Sequence, residues 1–202
     1  MTLGEMKRRV LELVFSYSVA GSEIPATYNN QADYEGMIPG LVNQAEIEIA
    51  TSVKRIYESV KVSDLERTEV DGMERYLLPS KCWLPLTNGL LICLPRHRHG
   101  RYTDYRMLGG KYLVLPPGRA EFLTLEYWRY PERIDNDSPE DTELDNTPDV
   151  HEAIVFYVAG HLLLYDDAYR SKVLLAEYES RKGQLKEAIW LEVEPIHNIY
   201  YD

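Results

Sequence analysis

An apolar helix in the second half of the chain constrains the fold most strongly. Residues 153–160 read Ala-Ile-Val-Phe-Tyr-Val-Ala-Gly, which is apolar on every side of a helix. Thr147 is placed to act as its N-cap, and Pro148 takes the first helical position, where a missing N–H leaves no hydrogen bond unmade. A helix without a polar side cannot lie on a wet surface. We therefore expect other elements to surround it.

Three further helices are predicted. Thr2-Leu3-Gly4-Glu5 matches the reciprocal capping pattern and begins a helix over 2–19. Apolar residues at helical spacing predict a second helix over 33–59. After the corner Tyr165-Asp166-Asp167, a two-faced charged helix is predicted over 172–187, with Asp166 or Asp167 as its cap.

Between the second and third helices the pattern changes to that of strands. Asp71-Gly72 and Asn88-Gly89 are hairpin-type turn signals, and Gly109-Gly110 separates two more strand-like runs. Residues 121–130 are rich in Phe, Leu, Thr, Tyr and Trp and form the clearest strand. The segment 60–133 is therefore predicted to be a small β module.

The predicted fold class is α+β: a four-helix bundle with a β-rich insertion between helices 2 and 3 and an extended C-terminal tail. The predicted divisions are a bundle from 1–59 and 146–192, a β insertion over 60–133, an acidic linker over 134–145, and a tail over 193–202. Residues 135–149 hold seven acidic side chains and no Lys or Arg, which is typical of a solvated linker rather than a site.

Composition excludes some classes of partner. The chain has 202 residues, of which 45% are hydrophobic, so it can bury a core. A formal net charge of −11 argues against wrapping a phosphate backbone or docking on anionic lipid. Because the start has no apolar leader and no run approaches a membrane span, we expect a soluble protein made in the cytoplasm. Cys82 and Cys93 are expected to be reduced and buried.

Tyrosine is the unusual residue type, with 16 copies against 3 Phe. Tyrosine joins apolar area to a hydroxyl, which suits protein contacts that stay partly wet. The alternative is that many of these tyrosines only edge the core.

Two helical segments resemble the head-to-tail adaptor (connector) proteins of tailed bacteriophages. The first is Tyr34-x3-Ile38-Pro39-Gly40-Leu41-Val42-x2-Ala45-x4-Ala50-Thr51, similar to the second helix of adaptors of the short-tailed-phage type. The second is Pro148-Asp149-x-His151-Glu152-Ala153-Ile154-x2-Tyr157-x-Ala159-x2-Leu162-x2-Tyr165-Asp166-Asp167, followed by Tyr178-Glu179.

This resemblance implies a structural virion protein of the head–tail neck, assembled in the host bacterial cytoplasm. It implies a homo-oligomeric ring, by analogy of 12 copies, docked under the portal protein, with a tail, nozzle or stopper protein bound below. Double-stranded DNA would pass through the ring transiently. The resemblance implies no enzymatic activity, cofactor, metal or membrane contact. Ring closure demands two different adhesive faces on each subunit, and an acidic subunit around a pore would repel DNA.

The C-terminal tail is the predicted portal-binding site because an isolated tail this apolar needs a surface to dock on. The residues assigned to this site are Pro195, Ile196, His197, Asn198, Ile199, Tyr200, Tyr201 and Asp202. The alternative is a strap packed on its own subunit.

One basic cluster has two interpretations. It comprises Arg96, His97, Arg98, His99 and Arg101. It is either a loop tip that contacts DNA phosphate or an acidic partner, or a solvated hairpin loop. The His-x-His pair could ligate a metal, but the Arg neighbours repel a cation and no carboxylate or further His lies close in sequence.

No nucleophile signature or phosphate-binding Gly loop is present in the sequence. Glu152 is explained by the helix dipole, and His161 is expected to be a core histidine with its hydrogen bonds satisfied. Tyr165-Asp166-Asp167 lacks the alternating ligands of a calcium loop. Two other functions stay open: a phage-encoded metal-dependent nuclease or hydrolase using the His97/His99 loop, and a stand-alone scaffold of a cellular complex.

Overall fold

The computed structural model describes residues 1–15, 30–94 and 97–192, without side chains for 30–31, 84, 86–101 and 188–192. These residues form four α-helices and two antiparallel sheets, which confirms the α+β class. The helices are α1 (Leu3–Phe15), α2 (Asn30–Ser52), α3 (Pro148–Leu162) and α4 (Ala168–Glu192). The chain divides into two compact units, Met1–Lys54 with Pro131–Asp202, and Arg55–Tyr130.

Helix α3 is the centre of the helical unit, and α1, α2 and α4 each pack against it. Its buried residues lie all round the helix: Val150, His151, Ala153, Ile154, Val155, Val158, Ala159, Gly160 and Leu162. The prediction that other elements surround this apolar helix is confirmed. Thr147 takes the N-cap backbone position, but its hydroxyl does not cap the helix; it accepts a hydrogen bond from Lys54 Nζ at 2.8 Å.

The predicted capping pattern at the start of α1 is confirmed. Thr2 N donates to Glu5 Oε2 at 3.1 Å, and Glu5 N donates to Thr2 Oγ1 at 3.2 Å. The next two N–H groups of the first turn, Leu3 and Gly4, donate to the carbonyls of Thr142 and Glu140, both at 2.9 Å. The N–H groups that a helix leaves without internal partners are thus satisfied.

The segment that returns the chain to α3, residues 131–147, is therefore more than a solvated linker. Its acidic side chains are largely exposed, but its backbone is bonded to α1, and Ile134 and Leu144 are buried. Asn43 fixes the other end, donating to Ile134 O at 2.7 Å and accepting from Ile134 N at 3.0 Å. A Cβ on Gly4 would lie 3.1 Å from the backbone carbonyl oxygen of Glu140, so a larger residue would push this segment away by a few tenths of an ångström.

Helix α2 ends earlier than predicted. The spacing of apolar residues predicted a helix to residue 59, but α2 ends at Ser52 and Ile56–Lys61 forms strand β1. The hydroxyls of Thr51 and Ser52 bond back to carbonyls one turn earlier, which competes with continuation of the helix. β1 alternates half-buried and exposed residues and pairs with β8 from Ile56 opposite Arg129, so pairing across the sheet overrides the helical period. For α1, residues 16–19 of the predicted range lie outside the described residues.

The strands form two antiparallel sheets of four strands each. They are β1 (Ile56–Lys61), β2 (Arg67–Val70), β3 (Met73–Leu77), β4 (Cys82–Leu94), β5 (His97–Arg101), β6 (Arg106–Leu108), β7 (Tyr112–Leu115) and β8 (Leu123–Arg129). The orders are β1-β8-β4-β5 and β2-β3-β7-β6. Asp71-Gly72 forms the predicted two-residue hairpin turn, with φ of 54° and 72°. Gly109-Gly110 lies between β6 and β7, and β8 is the clear strand predicted over 121–130.

The predicted hairpin at Asn88-Gly89 is wrong. β4 runs through both residues and pairs with the same strand, β8, before and after them. Pro85 lies opposite Tyr127 and Leu90 lies opposite Leu125, so the intervening residues of β4 bulge out of register. The turn sequence lies in a bulge of β4 because a single partner strand, β8, pairs with β4 on both sides of it.

The sheets enclose a second core. Its buried members are Val62, Tyr76, Leu78, Leu113, Leu115, Ala120, Leu123, Leu125 and Tyr127. Glu74 is buried beside it, where Arg67 approaches at 2.9 Å and the Tyr76 hydroxyl donates at 2.7 Å. Two polar partners thus offset the desolvation of this carboxylate.

Gly160 sets how closely α3 and α4 approach, which gives a stability prediction. A Cβ there would lie 2.8 Å from Leu175 Cγ and 3.3 Å from Leu175 N, so the backbone of α4 would have to move. We expect Gly160→Ala to lower the free energy of unfolding by about 1–3 kcal/mol. The matched control is Gly40→Ala in α2, where an added Cβ meets no described atom within 4 Å and should stabilise the helix by about 0.5–1 kcal/mol.

Urea unfolding followed by circular dichroism would measure both variants. Equal stability of the Gly160→Ala protein and the wild type would contradict this account of the α3–α4 contact.

Candidate assembly surfaces

The corner between α3 and α4 exposes large apolar and aromatic side chains. Tyr165 is 93% exposed, Tyr169 79%, Val173 53% and Leu164 44%. Isolated exposed apolar residues are ordinary, but four within ten positions concentrate exposed apolar area at this corner. A surface of this kind suits a protein partner.

Two aspartates hold this corner in place. Asp167 Oδ1 accepts a hydrogen bond from Arg170 N at 3.0 Å, so Asp167 is the N-cap of α4, one of the two candidates predicted. Asp166 accepts a hydrogen bond from the Tyr34 hydroxyl of α2. The exposed aromatic residues therefore project from a fixed turn.

An open groove of about 620 Å³ lies beside the corner. It is lined by Leu13, Phe156, Asp167, Tyr169, Arg170, Val173 and Leu174. Arg170 closes one side by donating to the carbonyls of Leu13 and Val14, at 2.7 and 3.2 Å, in the last turn of α1. With mostly apolar walls, the groove can hold an apolar side chain from a partner, and its Asp167 and Arg170 side chains are engaged in capping α4 and in bonding to α1.

His161 is not the core histidine that the sequence predicted. It is half-buried at the edge of α3 and stacks on Tyr157, with ring centroids 4.3 Å apart. Burial lowers its pKa, and Glu48 opposes this shift. Tyr157 in turn meets the buried Tyr178 of α4 edge-on at 5.0 Å. The residue belongs to an aromatic contact between two helices.

The core histidine is His151, which is 1% exposed in the first turn of α3. Neither of its ring nitrogens has a hydrogen-bond partner among the described residues. Burial lowers its pKa to about 4, the positive N-terminus of Met1 adds to this, and Asp149 opposes it. The signal for its burial is its spacing from Ile154, Val158 and Leu162, at three, seven and eleven residues.

The sheet unit carries a second aromatic surface that sequence analysis did not identify. The Arg55 guanidinium lies between two indoles, 5.7 Å from the centre of Trp83 and 5.6 Å from that of Trp128. Tyr57 is 50% exposed and Tyr130 36%. Trp, Tyr and Arg are the residue types that contribute most to binding energy at protein interfaces.

The predicted basic cluster is only partly described. His97–Arg101 forms β5, with His97 opposite Leu94 and Gly100 opposite Ile92, so these residues are an edge strand rather than the predicted loop. Antiparallel pairing with β4 places them in the sheet ladder. Arg96 and the side chains of 97–101 lie outside the described residues, as do all the predicted portal-binding residues, 195–202.

Chemistry-bearing groups are sparse in the part of the chain whose side chains are described. No cluster of three His, Cys, Asp or Glu there could hold a metal ion. Cys82 is a free, half-buried thiol whose pKa is raised by burial to about 11. The side chain of Cys93 is among those not described.

Among the described helices, none combines the length and the apolar character needed to cross a bilayer.

The buried His151 predicts a specific dependence of stability on pH. The unfolded chain takes up a proton near pH 6.5, whereas the folded state resists it down to about 4. The free energy of unfolding is therefore unaffected by His151 protonation above pH 6.5 and falls as the pH is lowered toward 4, by roughly 2 kcal/mol at pH 5. His151→Leu should remove this slope and leave stability at pH 7.5 unchanged or higher, because it removes two polar atoms without partners.

Urea titrations at pH 7.5, 6.5, 5.5 and 5.0 would check this, with His161→Leu as the control that keeps most of the wild-type slope. If His151→Leu and the wild type lose stability in parallel, the slope has another source.

Comparison with known proteins places these surfaces in context. The search of the curated proteins finds no match. A family model described as the SU10 adaptor protein matches residues 1–193, nearly the whole chain, and leaves most of the predicted docking tail outside the match. The chain belongs to the SU10 adaptor protein family, a family of phage head–tail adaptors.

Proposed function

We propose that this protein forms a ring of identical copies in the neck of a phage virion, by analogy 12, that joins the portal to the tail. In this proposal the ring is also the conduit through which the genome leaves. The observation that carries the proposal is the family match over residues 1–193. The exposed corner of the helical unit and the Arg55–Trp83–Trp128 surface support it, because both are built from residues suited to protein contacts.

The two units would have different roles. Helices α1 to α4 would pack as a bundle around α3 and form the ring. The strands between α2 and α3 would be an insertion that contacts the tail, nozzle or stopper protein. The exposed Tyr57 and Tyr130 beside the two tryptophans support a protein contact there. The predicted acidic linker, residues 134–145, would fasten the bundle through its bonds to α1.

The charge of the chain supports a role as a conduit. Each copy has a formal net charge of −11, which becomes a strong negative field when repeated around a pore. Such a field repels the DNA phosphates, so the genome would slide past without being held.

Assembly on the cognate portal tests the proposal. Light scattering and negative-stain electron microscopy of the purified full chain should show small particles alone and rings when the portal is added. A portal from an unrelated phage is the control. Failure to associate with any portal, together with a stable monomer at high concentration, would refute the proposal.

The C-terminal tail should be needed for docking and not for folding. We expect a chain lacking residues 195–202 to keep its melting temperature, because the described cores lie within residues 3–185, and to lose binding to the portal. The substitutions Ile196→Asp and Tyr200→Asp in the full chain should have the same effect. Unchanged affinity of the truncated chain for the portal, measured by biolayer interferometry, would show that the tail is not the anchor.

The nuclease alternative gives a separate prediction. We expect the full chain to leave double-stranded DNA intact in Mg²⁺ or Mn²⁺, and the double variant His97→Ala, His99→Ala to assemble on the portal like the wild type. Agarose-gel analysis of plasmid DNA would check the first expectation. Metal-dependent cleavage that disappears in the double variant would favour a metal-dependent hydrolase instead.

A further inference from the structure

The outer face of α2 is exposed but carries no charge. Between Tyr34 and Ala50 its exposed residues are Gly36, Met37, Gly40, Gln44 and Ile47, which we call the α2 face. Met37 is 51% and Ile47 44% exposed. By contrast, the exposed residues of α1 are Glu5, Arg8 and Glu12, all charged, as expected of a helix that faces water.

The glycines of the α2 face are not explained by the described residues of the subunit that contains them. A glycine inside a helix lowers its stability by about 1 kcal/mol relative to alanine. Gly160 and Gly4 have internal reasons, since an added Cβ would lie 2.8 Å from a neighbouring atom. At Gly36 and Gly40 an added Cβ would meet no described atom within 4 Å, and neither has a positive φ. Close approach of another backbone from outside would explain both.

Helix α4 has a matching face on its exposed side. It consists of Tyr169, Val173, Ala176, Ser180 and Gly183, which we call the α4 face. Successive members are four, three, four and three residues apart, the spacing of a helix that packs lengthwise against another. Gly183, like Gly40, has open space where a Cβ would be.

We infer that the α2 face of one copy packs against the α4 face of the next copy around the ring. This inference rests on the proposed ring and assigns its subunit contact. The two faces are about 17 and 21 Å long, both are uncharged, and bulky residues on each can lie over small ones on the other. The apolar groove beside Tyr169 and Val173 adjoins the α4 face and can receive Met37 or Ile47.

A second copy fits this surface better than other occupants do. Nucleic acid or an anionic lipid would need a basic surface, which neither face provides. Charge at the margins also fits a copy of this chain: Asp33 lies at the start of the α2 face, and the exposed Lys172 flanks the start of the α4 face, whereas Lys186 and Glu187 are both exposed beyond its end. Asp33 therefore lies near Lys172 when the two helices run parallel, which is the orientation that the charges at the margins favour.

The faces lie on different helices, so a copy that uses its α2 face on one neighbour keeps its α4 face for another, and such a head-to-tail contact extends to a ring when the rotation closes. One helix face on each side buries less than the roughly 1,200–2,000 Å² of a stable pair. Such a contact suits subunits that remain separate until a portal gathers them.

Substitution of the open glycines tests the assignment. Gly40→Glu and, separately, Gly183→Glu place a charge within the α2 face and at the end of the α4 face, without touching described atoms of the same subunit. We expect both to keep the wild-type melting temperature and to reduce ring formation on the portal at least tenfold. Arg8→Glu, on the charged face of α1, is the matched control and should form rings normally.

Cross-linking tests the direction of the contact. Gly40→Cys and Ala176→Cys lie near the middle of the two faces, so they should meet in either helix orientation. With a short bis-maleimide on the portal-assembled full chain, the double variant should give a ladder of multimers, and a mixture of the single variants should give dimers only. The wild type, with its own Cys82 and Cys93, is the background control. Efficient dimers from Gly40→Cys alone would show a symmetric α2–α2 contact and overturn the assignment.

The outcomes separate this inference from the proposed function. If the wild type and both glutamate variants form rings equally well, the interface assignment is wrong and the neck function stands. If the wild type forms no ring on its portal, both are refuted.

Discussion

The burial of α3 is the constraint on which the helical unit depends. An all-round apolar helix loses its stabilisation if any side stays wet, so α1, α2 and α4 must each give one face to it. Gly160 allows α4 to come close enough to exclude water. Each outer helix packs only one face against α3, so the core does not determine the residues of the opposite face, and these can serve another purpose. That face is charged on α1 and uncharged on α2 from Gly36 to Ile47, and on α4 it carries an uncharged stripe from Tyr169 to Gly183 with Glu179 beside it.

The chain passes through the sheet unit after α2 and then comes back to α3 through a return segment. This segment joins α1 and α2 to α3 and α4. Its carbonyls at 140 and 142 accept the N–H groups of the first turn of α1, and Asn43 pairs with both backbone groups of Ile134. Hydrogen bonds that leave no buried donor unpaired contribute stability even when the surrounding side chains are exposed and acidic. The same region buries His151 near the N-terminus, and the cost of this burial grows as the pH falls.

Sequence reasoning succeeded where a local pattern decides the local structure. The Thr2–Glu5 cap, the Asp71-Gly72 turn and the apolar helix α3 each follow from residues that contact one another within a few positions. It failed where distant partners decide. β8 converted the end of the predicted second helix into β1 and held both sides of Asn88-Gly89 in a single strand. No local pattern could supply these pairings, because they join residues far apart in the chain.

The candidate surfaces were also hard to predict from the sequence. Sequence analysis drew attention to charged clusters and to the C-terminal tail, whereas the uncharged faces of α2 and α4 can be identified only when the burial of each residue is known. Tyr34 and Asp166, from the two segments that resemble phage adaptors, meet through a hydrogen bond. Ile38, in the first of those segments, is buried and contributes to the core of the fold. Gly40 and Tyr165 are exposed and contribute no core packing, and among the described residues no contact within the subunit requires glycine or tyrosine there. A residue type that costs stability or exposes apolar area, and that its own subunit does not use, is best explained by a neighbour that does.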